Sequence, residues 1–397
     1  MTVRPRRIYL DHNATAPLLP QAKAAMIHAF DLLGNPSSVH EEGRRARAAI
    51  EAARGAVANL VGAVSEGVVF TSGATEAANT CLVPEWTLDG ASVAVKRLAV
   101  ADADHPATRE GGRFAAEAVT RLPVDRQGLL GLKALDAWLE DGVGRGWSML
   151  CLTLANGETG VVQDIVPIVD RLIGRDVIFV LDVSQAAGRM PLSISDLRAD
   201  ALLVSGHKIG AAKGIGALVL ADEARRPRPL LLGGGHEKGR RAGTEALAEI
   251  VSFGIAAGVA AERAPQAAAM LGPLRHRLAE GLAASGASFR IVGEGAARLP
   301  NTLTIAAEGL RGETVQIALD LAGFAVSSGS ACSSGKVGAS HVLKAMVDGG
   351  FDIDPSLGAI RVSFGYETTV DEIDAIVVAM SRVLRTSRQT SLGRHAA

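Results

Sequence analysis

Four short apolar runs, each stopping at a cluster of small or polar residues, constrain the fold of this chain more than any other feature. They are residues 67–71 (GVVFT), 147–155 (WSMLCLTLA), 176–181 (DVIFVL) and 201–205 (ALLVS). Each has the length of a strand. Stretches of helical pattern lie between them, such as 165–174, and the Ser-Gly-Ala-Thr-Glu that follows the first run is a helix-start signal. This alternation predicts an α/β fold, a mostly parallel sheet wrapped by helices. Ligands of such sheets sit beyond the C-terminal ends of the strands. The polar residues gather there, at 71–75, 156–160, 182–185 and 205–208.

The pattern changes near residue 262. Residues 262–285 read as helical, with Pro265 and Pro273 as points of breakage or kinking. Residues 289–305 look strand-rich, and 370–384 form an amphipathic helix. A length of 397 residues allows two or three domains. The expected division is a large α/β domain over 15–261 and a smaller α+β domain made of 1–14 and 262–397. The last dozen residues read as a frayed tail.

Composition narrows the function classes. A hydrophobic content of 48% with 21% charged residues suits a soluble protein with a core. A formal net charge of −1 gives no sign of a nucleic-acid or anionic-membrane partner. The basic clusters at Arg4, Arg6 and Arg7 and at Arg44, Arg45 and Arg47 read as a solvated terminus and a helix face. No apolar run reaches the roughly 18 residues of a membrane span, and no signal peptide is visible. The 3 cysteines make neither a disulfide framework nor a metal-ligand pattern, so no metal is expected and a reducing cytoplasm fits. Two loop motifs fail on spacing. Residues 233–239 have one residue too many for a dinucleotide loop. Residues 329–336 have one too many between the glycines for a phosphate-binding P-loop, and Val337 stands where Ser or Thr is needed.

Three features carry chemistry. Asp182 ends a buried strand run, where a carboxylate is costly without a cationic partner. It reads as a cap or structural ion pair, or as the holder of a protonated pyridine nitrogen, which makes the ring an electron sink. Lys208, in Ser205-Gly-His-Lys208, follows the next strand, with one strand-helix-strand step between it and Asp182. It is either a surface lysine or a Schiff-base lysine in a pocket. Thr71-Ser-Gly-Ala-Thr75 opens a helix after a strand, as an ordinary cap or as an anion site for a phosphate.

With these residues in view, the chain resembles cysteine desulfurases of the NifS/IscS type, within the class V aminotransferase family. The matching stretches are Tyr9-Leu-Asp-His-Asn-Ala-Thr15, Gly34-Asn-Pro-Ser-Ser38, Phe70-Thr-Ser-Gly-Ala-Thr-Glu76, Glu158-Thr-Gly160, Ser205-Gly-His-Lys208, Lys213-Gly-Ile-Gly-Ala217, Gly233-Gly-Gly-His-Glu237, Arg241-Ala-Gly-Thr244 and Ser327-Ser-Gly-Ser-Ala-Cys332. Their order, more than any one of them, is specific.

The resemblance implies a fold like that of aspartate aminotransferase, fold type I, with pyridoxal 5'-phosphate as cofactor. It implies that Lys208 carries the cofactor and moves the Cα proton of L-cysteine. Asp182 would bind the pyridine nitrogen, Gln185 and Asn156 would lie near the phenolic oxygen, and His105 would stack on the ring and handle protons. Ala74, Thr75, Ser205 and His207 would hold the phosphate, with Thr244 reaching it from the neighbouring subunit of a homodimer. Asn35 and Arg361 would hold the substrate carboxylate. The Cys332 thiolate, aided by His105 or Lys336, would attack the substrate sulfur. L-alanine would leave, and a Cys332 persulfide would remain for a sulfur-acceptor or iron-sulfur scaffold protein. Cys81 and Cys151 are expected to be buried and inert. The rival readings are a selenocysteine lyase or aminotransferase of the same fold, and a non-catalytic sulfur carrier or scaffold.

Three departures from the family pattern stand out. Asn156-Gly157 replaces a pair of asparagines, so a polar contact near the phenolic oxygen is expected to be missing, and an asparagine at 157 to tighten the hold on the cofactor. Gly210-Ala-Ala212 replaces a Tyr-Gly-Pro turn. The tail after Leu384 lacks the segment that housekeeping members use for docking their scaffold partner.

Overall fold

The computed structural model describes residues 7–329 and 339–395, with side chains as far as residue 385. Its centre is a sheet whose strands, in chain order, are β1 (Val68–Thr71), β2 (Arg97–Ala101), β3 (Val119–Leu122), β4 (Ser148–Thr153), β5 (Val177–Asp182), β6 (Ala201–Ser205) and β7 (Gly216–Leu220). Their spatial order is β1-β7-β6-β5-β4-β2-β3. The pairs from β6 through to β3 are parallel, and β7 runs antiparallel between β6 and β1. All four apolar runs read from the sequence are strands of this sheet.

Why these runs carry little polar alternation is visible in their burial. Every residue of β4, β6 and β7 is buried. Successive side chains of a strand face opposite ways, and here both faces are covered. Leu150, Leu152, Leu181, Leu202 and Val204 enter one core cluster. Met149, Cys151, Ile178, Val180 and Leu203 enter another on the opposite face.

The connection from β5 to β6 differs from expectation. Residues 183–200 form turns with no α-helix. The crossover still puts the two strands side by side and parallel, with Asp182 opposite Leu203. Helix formation is blocked locally by Gly188 at φ 72° and Arg198 at φ 48°, and Pro191 removes a further donor.

A second sheet holds β8 (Phe289–Ile291), β9 (Thr302–Ala307), β10 (Ser327–Ser328) and β11 (Ile360–Ser363), in the order β8-β9-β11-β10 with every pair antiparallel. Its core joins Leu278, Ile305, Val362, Phe364, Ile376 and Met380 with Leu10 from the N-terminal segment. Ile8–Tyr9 pairs in parallel with Phe324–Ala325. The expected break at Pro265 is a single turn, Ala264–Gln266, between the helices Leu247–Arg263 and Ala267–Ala284. Pro273 lies inside the second helix without ending it. The helix His341–Asp348 crosses the anticipated division. Its Val342, Leu343, Ala345 and Met346 pack into the core of the large sheet. Among the described residues no helix is long and apolar enough to cross a membrane.

Candidate active site

The C-terminal ends of β5 and β6 open into a cavity of about 660 Å³. Asp182 closes β5. Its Oδ1 accepts the backbone N–H of Ser184 at 2.9 Å, and the residue is 5% exposed. Lys208 sits in the short turn Gly206–Lys208 directly after β6. Its Nζ donates to the carbonyls of Asn13 at 2.7 Å and Ala14 at 2.9 Å. The N-terminal segment is therefore laid across the lysine. It is fastened there again by Ala16 N–H to the His207 carbonyl, and by the contact of His207 Nδ1 with the Thr15 hydroxyl at 3.1 Å. Burial pushes the His207 imidazole down to about 4, with Lys208 and Lys213 adding to the shift.

The same cavity is lined on another side by the start of the helix Ala74–Cys81. Gly73 precedes that helix and, among the described residues, no side chain caps it, so its first amides are left open to the cavity. Glu76 takes the Ser72 N–H at 2.7 Å and pairs with Arg241 at 2.9 Å, which holds the turn open. Ser205, His207, Ala74 and Thr75 all line this end. A free helix N-terminus beside two polar side chains suits a phosphate.

Arg361, on β11, reaches the cavity from the second sheet and is 4% exposed. Asp11 Oδ1 accepts from its Nη2 at 2.7 Å and the Gly157 carbonyl accepts from its Nη1 at 2.9 Å. Among the described residues its buried Nε has no hydrogen-bond partner. The guanidinium is thus held rigidly with donors to spare. His105 lies exposed on the cavity wall. Its Nδ1 accepts from the Ala107 N–H at 3.2 Å, and the loss of water around it within the cavity lowers its pKa.

The structure brings together Ala74, Thr75, His105, Asn156, Asp182, Gln185, Ser205, His207, Lys208 and Arg361. Two expected residues lie elsewhere. Asn35 is exposed, and its side-chain oxygen accepts the Ser37 N–H at 2.8 Å. Thr244 is also exposed and lines no part of this cavity in the single chain. Asn156 lines the wall, but its amide is engaged by the turn. It donates to the Ala103 carbonyl and accepts from the Glu158 and Thr159 amides. Cys332 and Lys336 lie outside the described residues. Cys81 and Cys151 are fully buried, and burial drives both thiols well up from their usual pKa.

Several residues of the site have no separate signal in the sequence. Asn13 is buried and joins Gly157, Thr302 and Ser363 by hydrogen bonds. Asp104 accepts the Ala101 and Thr153 amides at 2.9 Å, and burial pushes its carboxyl up to about 7. Glu158 accepts from the Ser340 hydroxyl at 2.5 Å and is likewise pushed to about 7 by desolvation. The sole hint of these roles was membership of the stretches at 9–15 and 158–160 and, for Asp104, its place beside His105. Gly157 is also better explained. A Cβ there would stand 3.1 Å from Gln185 Nε2 and 3.4 Å from Gln185 Cγ. An asparagine at 157 requires the Gln185 side chain to give by a few tenths of an ångström.

Comparison with known proteins agrees with this geometry. The Aminotransferase class-V family matches residues 8–376. The chain belongs to that family. A cysteine desulfurase of Cereibacter sphaeroides is 36% identical over 393 residues, covering 97% of each chain. One of Trichormus azollae is 37% identical over 388 residues, covering 97% of this chain and 94% of that one. Among solved structures, a NifS-like protein from Rickettsia africae superposes with a TM-score of 0.84 at 30% identity, covering 95% of this chain and 99% of that chain. The fold type I expectation holds.

Proposed function

We propose that this chain is a pyridoxal-phosphate-dependent cysteine desulfurase that takes sulfur from L-cysteine and leaves L-alanine. One observation carries the reading. A lysine, a strand-end carboxylate, an uncapped helix start and a held guanidinium all open into a single cavity. The names of the relatives favour this activity over the aminotransferase, lyase and carrier readings.

The residues fit the cofactor. The Ala74 and Thr75 amides with Ser205 and His207 would hold its phosphate, Asp182 its ring nitrogen and Gln185 its phenolic oxygen. When bound through Lys208, pyridoxal phosphate supplies an electron sink for charge left at Cα. Lys208 Nζ would carry and return the Cα proton, and the Asn13 and Ala14 carbonyls hold it at the cavity wall. Arg361 orients the substrate by its carboxylate, with Asp11 and the Gly157 carbonyl preventing the guanidinium from swinging away. The Cys332 thiolate would attack the substrate sulfur. As the S–S bond forms, the Cβ–S bond breaks, and its electron pair stays with the carbon skeleton that leaves as L-alanine after taking up a proton. A Cys332 persulfide remains for an acceptor protein. Thr244 would serve the neighbouring subunit of a homodimer, a role its exposure outside its own cavity supports.

The test is an assay of purified protein with pyridoxal phosphate and L-cysteine, following alanine and protein-bound persulfide together. Equal amounts of both in the first turnover are expected. Alanine formed from cysteine with no persulfide on the protein would refute the reading.

A further inference from the structure

Arg189 is a buried arginine, 6% exposed. Among the described residues its hydrogen-bond partners are all neutral oxygens. Nη1 donates to the Gln185 carbonyl at 2.8 Å and to Gln185 Oε1 at 2.7 Å. Nη2 stands at the edge of bonding range from the carbonyls of His12, 3.5 Å, and Lys208, 3.4 Å. A buried guanidinium bonded to no carboxylate is costly, so its neighbours must account for its presence. Burial pushes its pKa down to about 10, which leaves it charged near neutral pH.

What it touches supplies the reason. A guanidinium can only donate, so the Gln185 atom facing it must be the amide oxygen. The Gln185 NH₂ must then point the other way, and it donates to the Asn13 carbonyl at 2.9 Å. That carbonyl also takes Lys208 Nζ. A flip of the amide would set donor against donor and break both bonds.

We propose that Arg189 is a positioning residue for the cofactor: by occupying Gln185 Oε1 it keeps the Gln185 NH₂ turned toward the phenolic oxygen, as a donor and never an acceptor. This rests on the reading that Gln185 faces that oxygen. A fixed donor backed by a positive charge favours the ionised phenolic oxygen and makes the bound cofactor easier to deprotonate. Other charged or titratable groups near this spot are His12, Asp11, Arg263, Tyr366, Glu367, Glu372 and Arg361 on the side of Arg189, and Asp182, Lys208 and His105 on the cavity walls.

The experiment is a double-variant cycle on the holoenzyme with Arg189→Met, Gln185→Ala and the two combined. It reads the pH midpoint of the cofactor's visible band and the rate of cofactor loss on dialysis. Arg189→Met is expected to raise the midpoint by half a pH unit or more and to speed cofactor loss several-fold. The combined variant should match Gln185→Ala alone, and Arg189→Lys should recover at least half of the midpoint shift. An unshifted Arg189→Met, or additive effects in the combined variant, overturns the proposal. If Arg189→Met does not fold, Gln185→Glu decides: it keeps the arginine satisfied but removes the donor, and an unmoved midpoint overturns the role. A wild-type protein without a visible band would sink the cofactor reading itself, whereas a normal wild-type band with unshifted variants sinks only the role of Arg189.

Discussion

Lys208 and Gly157 show how differently single residues respond to change in this cavity. Lys208 Nζ is the amine held by the Asn13 and Ala14 carbonyls at the end of β6. Lys208→Ala is expected to abolish the visible band and alanine production together, and either one surviving would remove the assignment. Gly157→Asn now carries the opposite expectation to the one its family context suggests. Its Cβ must push on Gln185 at 3.1 Å, so the variant should lose cofactor faster on dialysis. Slower loss would mean that Gln185 moves aside at no cost. The cysteines separate by burial. Cys81→Ser and Cys151→Ser should keep alanine and persulfide formation, because both thiols are fully buried and burial holds them neutral. Cys332→Ser should keep the visible band and lose both products, since a hydroxyl is a far weaker nucleophile near pH 7.

At the scale of elements, the strands were the most legible part of the sequence. A run such as VIFVLD declares itself because both its faces are covered, so no polar residue interrupts it until the sheet ends at Asp182. The helix expected between β5 and β6 was not legible, because the Gly188 and Arg198 backbone geometry and the turns of 183–200 are set by packing. The partners of Arg361 and Lys208 were also hidden. Asp11, Asn13 and Glu158 act across gaps of up to 350 residues in sequence, and no periodicity records such contacts. Asp104 and Glu158 give the elements a pH signature. Their folded pKa values are raised, so their protonated forms stabilise the fold. That contribution is full at acid pH and fades as pH rises through about 7. His12 and His207, pushed down to about 4, act the other way, but their effect is complete above about pH 6.5. Between pH 6.5 and 8 stability should therefore fall, by on the order of 1 kcal/mol per carboxyl. Glu158→Gln keeps an oxygen for the Ser340 hydroxyl and should flatten this fall in a thermal-melt series. An unchanged slope would mean that Glu158 is ionised across the range.

At the scale of the whole molecule, one chain supplies nearly all of the expected cofactor site, and Thr244 is the conspicuous exception. It follows the loop at 233–243, which Glu237 anchors. The Glu237 carboxylate takes both Nη atoms of Arg54 at 2.8 Å and the Phe70 N–H at 3.1 Å. That clasp keeps Glu237 and Lys238 in left-handed backbone, at φ 51° and 57°, and presents the exposed Thr244 away from its own cavity. A loop fastened this firmly, ending in an exposed hydroxyl, suits action on a second copy of the chain. Exposed apolar side chains such as Phe30, Leu33 and Leu232 are available for such a contact. If Thr244 works across a dimer, subunits carrying Lys208→Ala and Thr244→Ala should complement each other. In the mixed dimer one site holds an intact Lys208 from one subunit and an intact Thr244 from the other, while the second site carries both defects. Unfolding and refolding the two variants together should thus give more alanine production than the sum of the separate preparations, with a mass in solution of two chains. If Thr244 serves its own site, or if the active species is one chain, co-refolding would give only the average of the two.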